Sequence, residues 1–194
     1  MFKAVLLWFM AYLLGSTPVG VIVAGYFSHC DPRKLGSGNI GATNVARTAG
    51  KKAGLITLGG DCLKGLLAVW IARLCGAGDG LAALTGLSAF LGHLYPIFLD
   101  FKGGKGVATA LGVFLALNPG ATVCGVLVFA VVTAASHFVS LGSICAALIM
   151  PVLICQFKAG WQIVFTSVLI AGLIVYRHRD NLLRLCRGEE NRLY

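Results

Sequence analysis

An all-α polytopic membrane protein is the fold class this sequence predicts: seven transmembrane helices, N-terminus periplasmic and C-terminus cytoplasmic, in one integral-membrane domain spanning residues 1–194. Three observations predict it. The 194 residues are 58% hydrophobic and only 12% charged, with a mean hydropathy of +0.86, outside the usual composition of soluble domains. The apolar residues come in runs suited to crossing about 30 Å of hydrocarbon, which takes roughly 20 residues as helix because lipid offers the backbone no hydrogen-bonding partner. The basic residues behind the net charge of +9 gather in three regions: Arg33, Lys34, Arg47, Lys51 and Lys52; then Lys102 and Lys105; then Arg177, Arg179, Arg184, Arg187 and Arg192. The positive-inside rule assigns all three to the cytoplasm.

The elements follow in order. The first span, near 4–26, starts after Lys3 like a signal peptide, but the apolar run continues past Gly15-Ser16-Thr17 to Phe27 with no A-x-A-like site. It is a membrane helix. The second, near 54–75, is apolar around the pair Asp61 and Lys64, and the third, near 81–100, ends where FKGGKG begins. Residues 107–136 admit one long tilted helix, which would put the arginine-rich tail outside. Asn118-Pro119-Gly120, a strong turn signal, instead divides them into spans at 107–117 and 120–136 and returns the tail to the cytoplasm. Spans near 139–157 and 161–176 complete the seven. The cysteines (Cys30, Cys62, Cys75, Cys124, Cys145, Cys155, Cys186) are odd in number, scattered and without a C-x-x-C pair. They read as small apolar residues, with no disulfide framework or metal site.

Polar residues collect in three patches, all on the expected cytoplasmic side. In the first, LGSGNIGATN (35–44) extended to Arg47, Gly36, Gly38 and Gly41 spell G-x-G-x-x-G with Asp61 twenty residues on. No βαβ unit surrounds them, so this is no dinucleotide site. Glycines let backbone N–H groups turn toward an anion, Ser37, Asn39, Thr43 and Asn44 add donors, and Arg47 adds a bidentate cation. In the second, GHLYPIFLDFKGGKGVAT (92–109), Lys102, Gly103, Gly104, Lys105 and Gly106 precede a helix N-terminus, a second place for an anion. The P-loop spacing is absent. His93, one turn before Pro96, is expected to satisfy a carbonyl freed by that proline. In the third, YRHRDNLLRLCRGEE (176–190), Arg177, His178, Asn181 and Arg184 share one helical face. An interfacial basic helix explains the arginines but not the His-Asn pair. Asp61 and Lys64, at i, i+3 inside an apolar segment, are either functional or a pair that neutralises itself.

Many cations and neutral donors with few carboxylates point to anionic, phosphorylated partners, and two glycine-rich loops suggest two anionic groups. Nucleic acid is excluded, since no aromatic stacking surface or soluble basic domain is present. There is no G-x-S-x-G elbow, no H-E-x-x-H, no cluster at metal-ligand spacing and no H-x-x-x-x-D arrangement. A chain that transfers an acyl group with this inventory needs a donor already activated, and neither metal nor cofactor is expected. The alternative is a transporter for an anionic solute, which calls for binding groups near mid-membrane and repeat symmetry.

GSGNIGATNVAR (36–47), the D-x-x-K-G piece from Asp61 to Gly65, GHLYPIFLDFKGGKG (92–106) and RHRDNLLRLCRGEE (177–190) together resemble the bacterial acyl-phosphate-dependent glycerol-3-phosphate acyltransferases over essentially the whole chain. The resemblance implies a seven-helix inner-membrane enzyme moving a fatty acyl chain from acyl phosphate to the 1-hydroxyl of glycerol 3-phosphate, with membrane lipid around it and no obligate protein partner. Ser37, Arg47, Lys105, His178 and Asn181 are the implied catalytic residues. Gly36, Gly38, Asn39, Gly41, Thr43, Asn44, Lys64, Lys102, Gly103, Gly104, Gly106, Ser143 and Arg177 are the implied substrate contacts, and Glu189 matches the terminal structural acid. In the expected mechanism the first loop holds acyl phosphate while the second loop and third patch orient the alcohol; orientation alone contributes about 7–11 kcal/mol. His178 is assigned to binding, with general base as the competing role.

Overall fold

The computed structural model describes residues 1–193, and every regular element among them is helical. In chain order these are α1 (Phe2–Ser16), α2 (Val19–Ser28), α3 (Ala42–Ala49), α4 (Lys51–Leu74), α5 (Asp79–Leu94), a 3-10 turn (Ile97–Leu99), α6 (Val107–Leu117), α7 (Pro119–Ser136), α8 (Val139–Gln156), α9 (Trp161–Arg177) and α10 (Arg179–Arg187). Five stretches are long and apolar enough to cross a membrane: Phe2–Ser28, Lys51–Leu74, Asp79–Leu99, Pro119–Ser136 and Val139–Gln156. The pair α9 and α10, bent by 52°, makes a sixth if it counts as one span. The chain is an integral membrane protein.

All seven expected segments are helical, and three depart in detail. The first is broken at Thr17-Pro18, where proline supplies no N–H to continue the ladder. The fourth, α6, has 11 residues, about 16 Å of helix, roughly half the hydrocarbon thickness. The last bends at His178, so Arg177 ends one helix while Asn181 and Arg184 lie on the next. The break at Asn118-Pro119 falls where the turn signal put it. The Asn118 side chain accepts the Ala121 N–H at 3.0 Å and Pro119 takes the first helical position, so the turn is a capped helix start.

The chain divides into two compact units, Met1–Val113 and the part from Phe114 onward. In both, bulky apolar side chains such as Phe9, Trp70, Leu127 and Leu148 face outward. The interior is rich in alanine, serine and threonine. Lipid gives little hydrophobic drive between helices, so they associate through small residues that let backbones approach. In the first unit a Cβ on Gly15 would fall on the Ala89 backbone, and one on Gly92 on that of Tyr12, which sets α1 tightly on α5. Likewise Gly112 of α6 meets the Cys62 backbone of α4. In the second unit α7 and α8 are joined at His137, which adopts a left-handed conformation (φ 65), and Gly142 lies against Thr133 and the Phe129 carbonyl.

Candidate active site

The first loop is closed by a side chain. Asn44, buried at the start of α3, donates from its amide to the carbonyls of Asn39 (2.8 Å), Pro32 (2.9 Å) and Leu35 (3.1 Å). Its Oδ1 accepts the Ser37 N–H at 2.9 Å. The Gly38 N–H goes to the Leu35 carbonyl (3.0 Å) and the Gly41 N–H to Asn39 Oδ1 (2.8 Å). The hydrogens of Asn44 and of these backbone donors thus close the loop on itself. Gly36, at φ 59, is needed because a Cβ there would overlap Asn44 Oδ1. What the loop presents is Ser37, exposed, and Thr43 and Arg47, one turn apart on α3. Arg33 is engaged by Asp31 at 2.8 Å, and its guanidinium holds the Asp31 carboxyl below the usual range.

The second loop folds back under the end of α5. The N–H groups of Phe101, Lys102, Gly103 and Gly104 donate to the carbonyls of Pro96, Leu99, Leu94 and His93 at 3.0–3.2 Å, satisfying acceptors that a helix C-terminus leaves open. A Cβ on Gly103 would fall on the His93 carbonyl, one on Gly104 on the His93 imidazole, and one on Gly106 (φ 82) on the Phe90 ring. These glycines therefore serve close approach. The N–H groups of Gly103 and Gly104 thus turn to the carbonyls of Leu94 and His93, and the first turn of α6 follows them in the chain. Lys105, half-buried, stands two residues before that helix, with Lys102 exposed beside it.

Two further residues meet at Asp61. Lys64 is buried, paired with Asp61 at 2.9 Å, and donates to the Thr17 carbonyl at 3.0 Å, at the break between α1 and α2. It supports the fold and is no exposed ligand. His93, expected at a carbonyl freed by Pro96, has its Nδ1 3.4 Å from Asp61 Oδ1.

In the second unit His178 sits at the bend between α9 and α10, with Nδ1 2.7 Å from the Ile174 carbonyl. A carbonyl only accepts, so Nδ1 carries the hydrogen and, in the neutral ring, Nε2 is the accepting nitrogen. Asn181, one turn on, donates to Glu190 Oε1 at 2.6 Å. Glu190 also accepts from Ser140 Oγ (2.8 Å) and Arg184 Nε (2.8 Å). Burial pushes the Glu190 carboxyl up, but the bonds from Asn181, Arg184 and Ser140 outweigh it and hold the group below the usual range. The assignment of the structural acid to Glu189 is thus corrected: Gly188 (φ 70) ends α10 and the following turn brings the second acid of the pair back, leaving Glu189 exposed. The doubled acid was the visible signal, but spacing alone does not say which of two neighbours turns inward. Ser143 donates to the Val139 carbonyl at 2.8 Å, so toward a substrate it can only accept. Arg177 is half-buried at the end of α9. Among the described residues no three His, Cys, Asp or Glu side chains converge in a way that would hold a metal ion.

Fold and site define an integral membrane protein whose cations, hydroxyls and one tautomer-fixed imidazole stand at helix ends and their loops. The glycerol-3-phosphate acyltransferase family matches residues 5–188. A glycerol-3-phosphate acyltransferase of Geobacter sulfurreducens is 47% identical over 99% of this chain and 98% of its own. Another, of Trichlorobacter lovleyi, is 49% identical over 94% and 93%. Among solved structures, PlsY (YgiH), an integral membrane glycerol 3-phosphate acyltransferase in its glycerol 3-phosphate form, superposes with a TM-score of 0.93 at 41% identity, covering 98% of this chain and 95% of that one. The chain belongs to the glycerol-3-phosphate acyltransferase family and is an acyltransferase.

Proposed function

We propose that this chain transfers a fatty acyl group from acyl phosphate to the 1-hydroxyl of glycerol 3-phosphate, giving lysophosphatidate and phosphate, the first acylation of phospholipid synthesis. It acts at the cytoplasmic face of a bacterial inner membrane. Ser37, Thr43 and Arg47 hold the acyl phosphate. Lys105 and the start of α6 hold the phosphate of the acceptor; in the second unit His178 and Asn181 are the proposed catalytic residues. The hydroxyl oxygen bonds to the acyl carbon, the carbon–oxygen bond to phosphate breaks, and the hydroxyl proton ends on the departing phosphate, so no metal or cofactor is consumed. Cations at the phosphate stabilise the charge that develops as it leaves.

The observation that carries this reading is the α5–α6 corner: its loop is folded so that a lysine stands two residues before a helix N-terminus, a pairing suited to a phosphate. Family membership supports the acceptor, and the solved neighbour is a glycerol 3-phosphate form. In the second unit His178 has Nδ1 2.7 Å from the Ile174 carbonyl, which orients the ring and makes Nε2 the accepting nitrogen of the neutral form. The test is phosphate release from acyl phosphate by purified protein in detergent, expected to depend on glycerol 3-phosphate and to survive chelation. Efficient transfer from acyl-CoA or acyl carrier protein, with none from acyl phosphate, would overturn the donor assignment.

A further inference from the structure

Three ionisable residues of the first unit lie buried together beyond the groups assigned above: Asp61 at 2% exposure, Lys64 at 4% and His93 at 3%. Burying charge in a membrane chain is expensive unless each group is paired. Asp61 Oδ1 stands 2.9 Å from Lys64 Nζ and 3.4 Å from His93 Nδ1, so one carboxylate serves both. The Asp61–Lys64 pair alone neutralises itself and stitches the α1–α2 break through the Thr17 carbonyl. The imidazole is not needed for that. Its other edge leads elsewhere: Nε2 occupies the place a Gly104 Cβ would take, and the Gly104 N–H donates to the His93 carbonyl at 3.2 Å. The ring is therefore wedged between Asp61 and the backbone one residue before Lys105.

We infer that His93, oriented by Asp61, is a positioning residue for the second loop, setting the backbone at Gly104 and through it the placement of Lys105 toward a phosphate-bearing acceptor. This rests on the assignment of that loop to glycerol 3-phosphate. The chemistry is mechanical. A buried ring with a carboxylate 3.4 Å from one nitrogen and the Gly104 backbone against its other edge has little room to swing, and Gly104, lacking a side chain, can lie directly on that edge. Removing the ring leaves a gap into which the loop relaxes, and displacement of a positioning group by about 1 Å can cost up to roughly a hundredfold in rate.

The experiment is steady-state kinetics of full-length protein in detergent, with acyl phosphate and glycerol 3-phosphate varied separately, for His93→Ala, Gly104→Ala, Lys105→Ala and the His93→Ala/Lys105→Ala double variant. His93→Ala is expected to raise KM for glycerol 3-phosphate by about tenfold, with KM for acyl phosphate changed less than about twofold. Gly104→Ala, whose methyl group displaces the ring, is expected to reproduce that split. In the Lys105→Ala background the His93 change should add little, because contacts that act through one group are not additive. Equal effects on both KM values, or full additivity with Lys105→Ala, overturns the inference. Should His93→Ala not be recovered folded, Gly104→Ala, which displaces the ring without removing it, takes its place in the cycle with the same criteria. If Lys105→Ala itself leaves KM for glycerol 3-phosphate unchanged while the wild type turns over, it is the assignment of the loop that fails.

Discussion

At Glu190 a single carboxylate collects Asn181, Ser140 and Arg184, and with them the position of a proposed catalytic amide. Hydrogen bonds to charged groups contribute roughly 1.5–3 kcal/mol each where they are well formed, and Arg184, partly exposed, stands toward the low end. Glu190→Gln is expected to lower the melting temperature in detergent and to depress turnover, whereas the exposed Glu189→Gln should do neither. Since the folded carboxyl titrates below its ordinary value of 4.5, its contribution to stability is fully present above that value and is lost as the pH falls through the folded one. The stability gap between wild type and Glu190→Gln should therefore be constant near neutrality and close in acid below about 4.5. An equal loss in Glu189→Gln would put the structural acid back where the family resemblance had it.

Helix elements are held in this chain by the absence of side chains more than by their presence, and two glycines separate the two meanings such a residue can have. Gly112 of α6 would drive a Cβ into the Cys62 carbonyl of α4, while Gly59, also on α4, has nothing within 4 Å of a Cβ. Gly112→Ala must push two helices apart, an overpacking cost of about 1–3 kcal/mol. Gly59→Ala should be neutral or gain up to about 1 kcal/mol from helix propensity. Thermal unfolding of the two variants side by side checks this; a Gly112→Ala protein as stable as wild type would mean the α4–α6 contact is loose. The composition announced many glycines, but which of them bear on a neighbour was not legible. That depends on which helix lies opposite.

For the whole molecule the open quantity is the number of crossings. We expect seven, and the short α6 is the element on which that depends. Its 11 residues reach the required depth only if the preceding loop also lies within the membrane. Non-helical backbone is tolerated there when its polar groups are satisfied inside the protein, and the N–H groups of residues 101–104 all have backbone acceptors. Single cysteines at Asn118 and in the tail, in a background freed of native cysteines, should be labelled from the periplasm and the cytoplasm respectively. A tail residue reached only from the periplasm would refute the topology and the one-sided site with it.

The sequence by itself determined the class of fold, the place of the break at Asn118-Pro119, the three polar patches and the family they resemble. Hydrophobic run length, turn chemistry and motif spacing are local properties that survive in one dimension. It did not determine what the polar atoms of those patches bond to. Asn44 reads as a donor for a ligand until the loop carbonyls of Pro32, Leu35 and Asn39 close around it. Lys64 and His93 read as unrelated residues 29 positions apart until α4 and α5 pack and put both on Asp61. A hydrogen bond is decided by which acceptor stands within about 3 Å. That distance is set by tertiary packing, and for a buried group the cost of remaining unpaired makes the nearest partner binding.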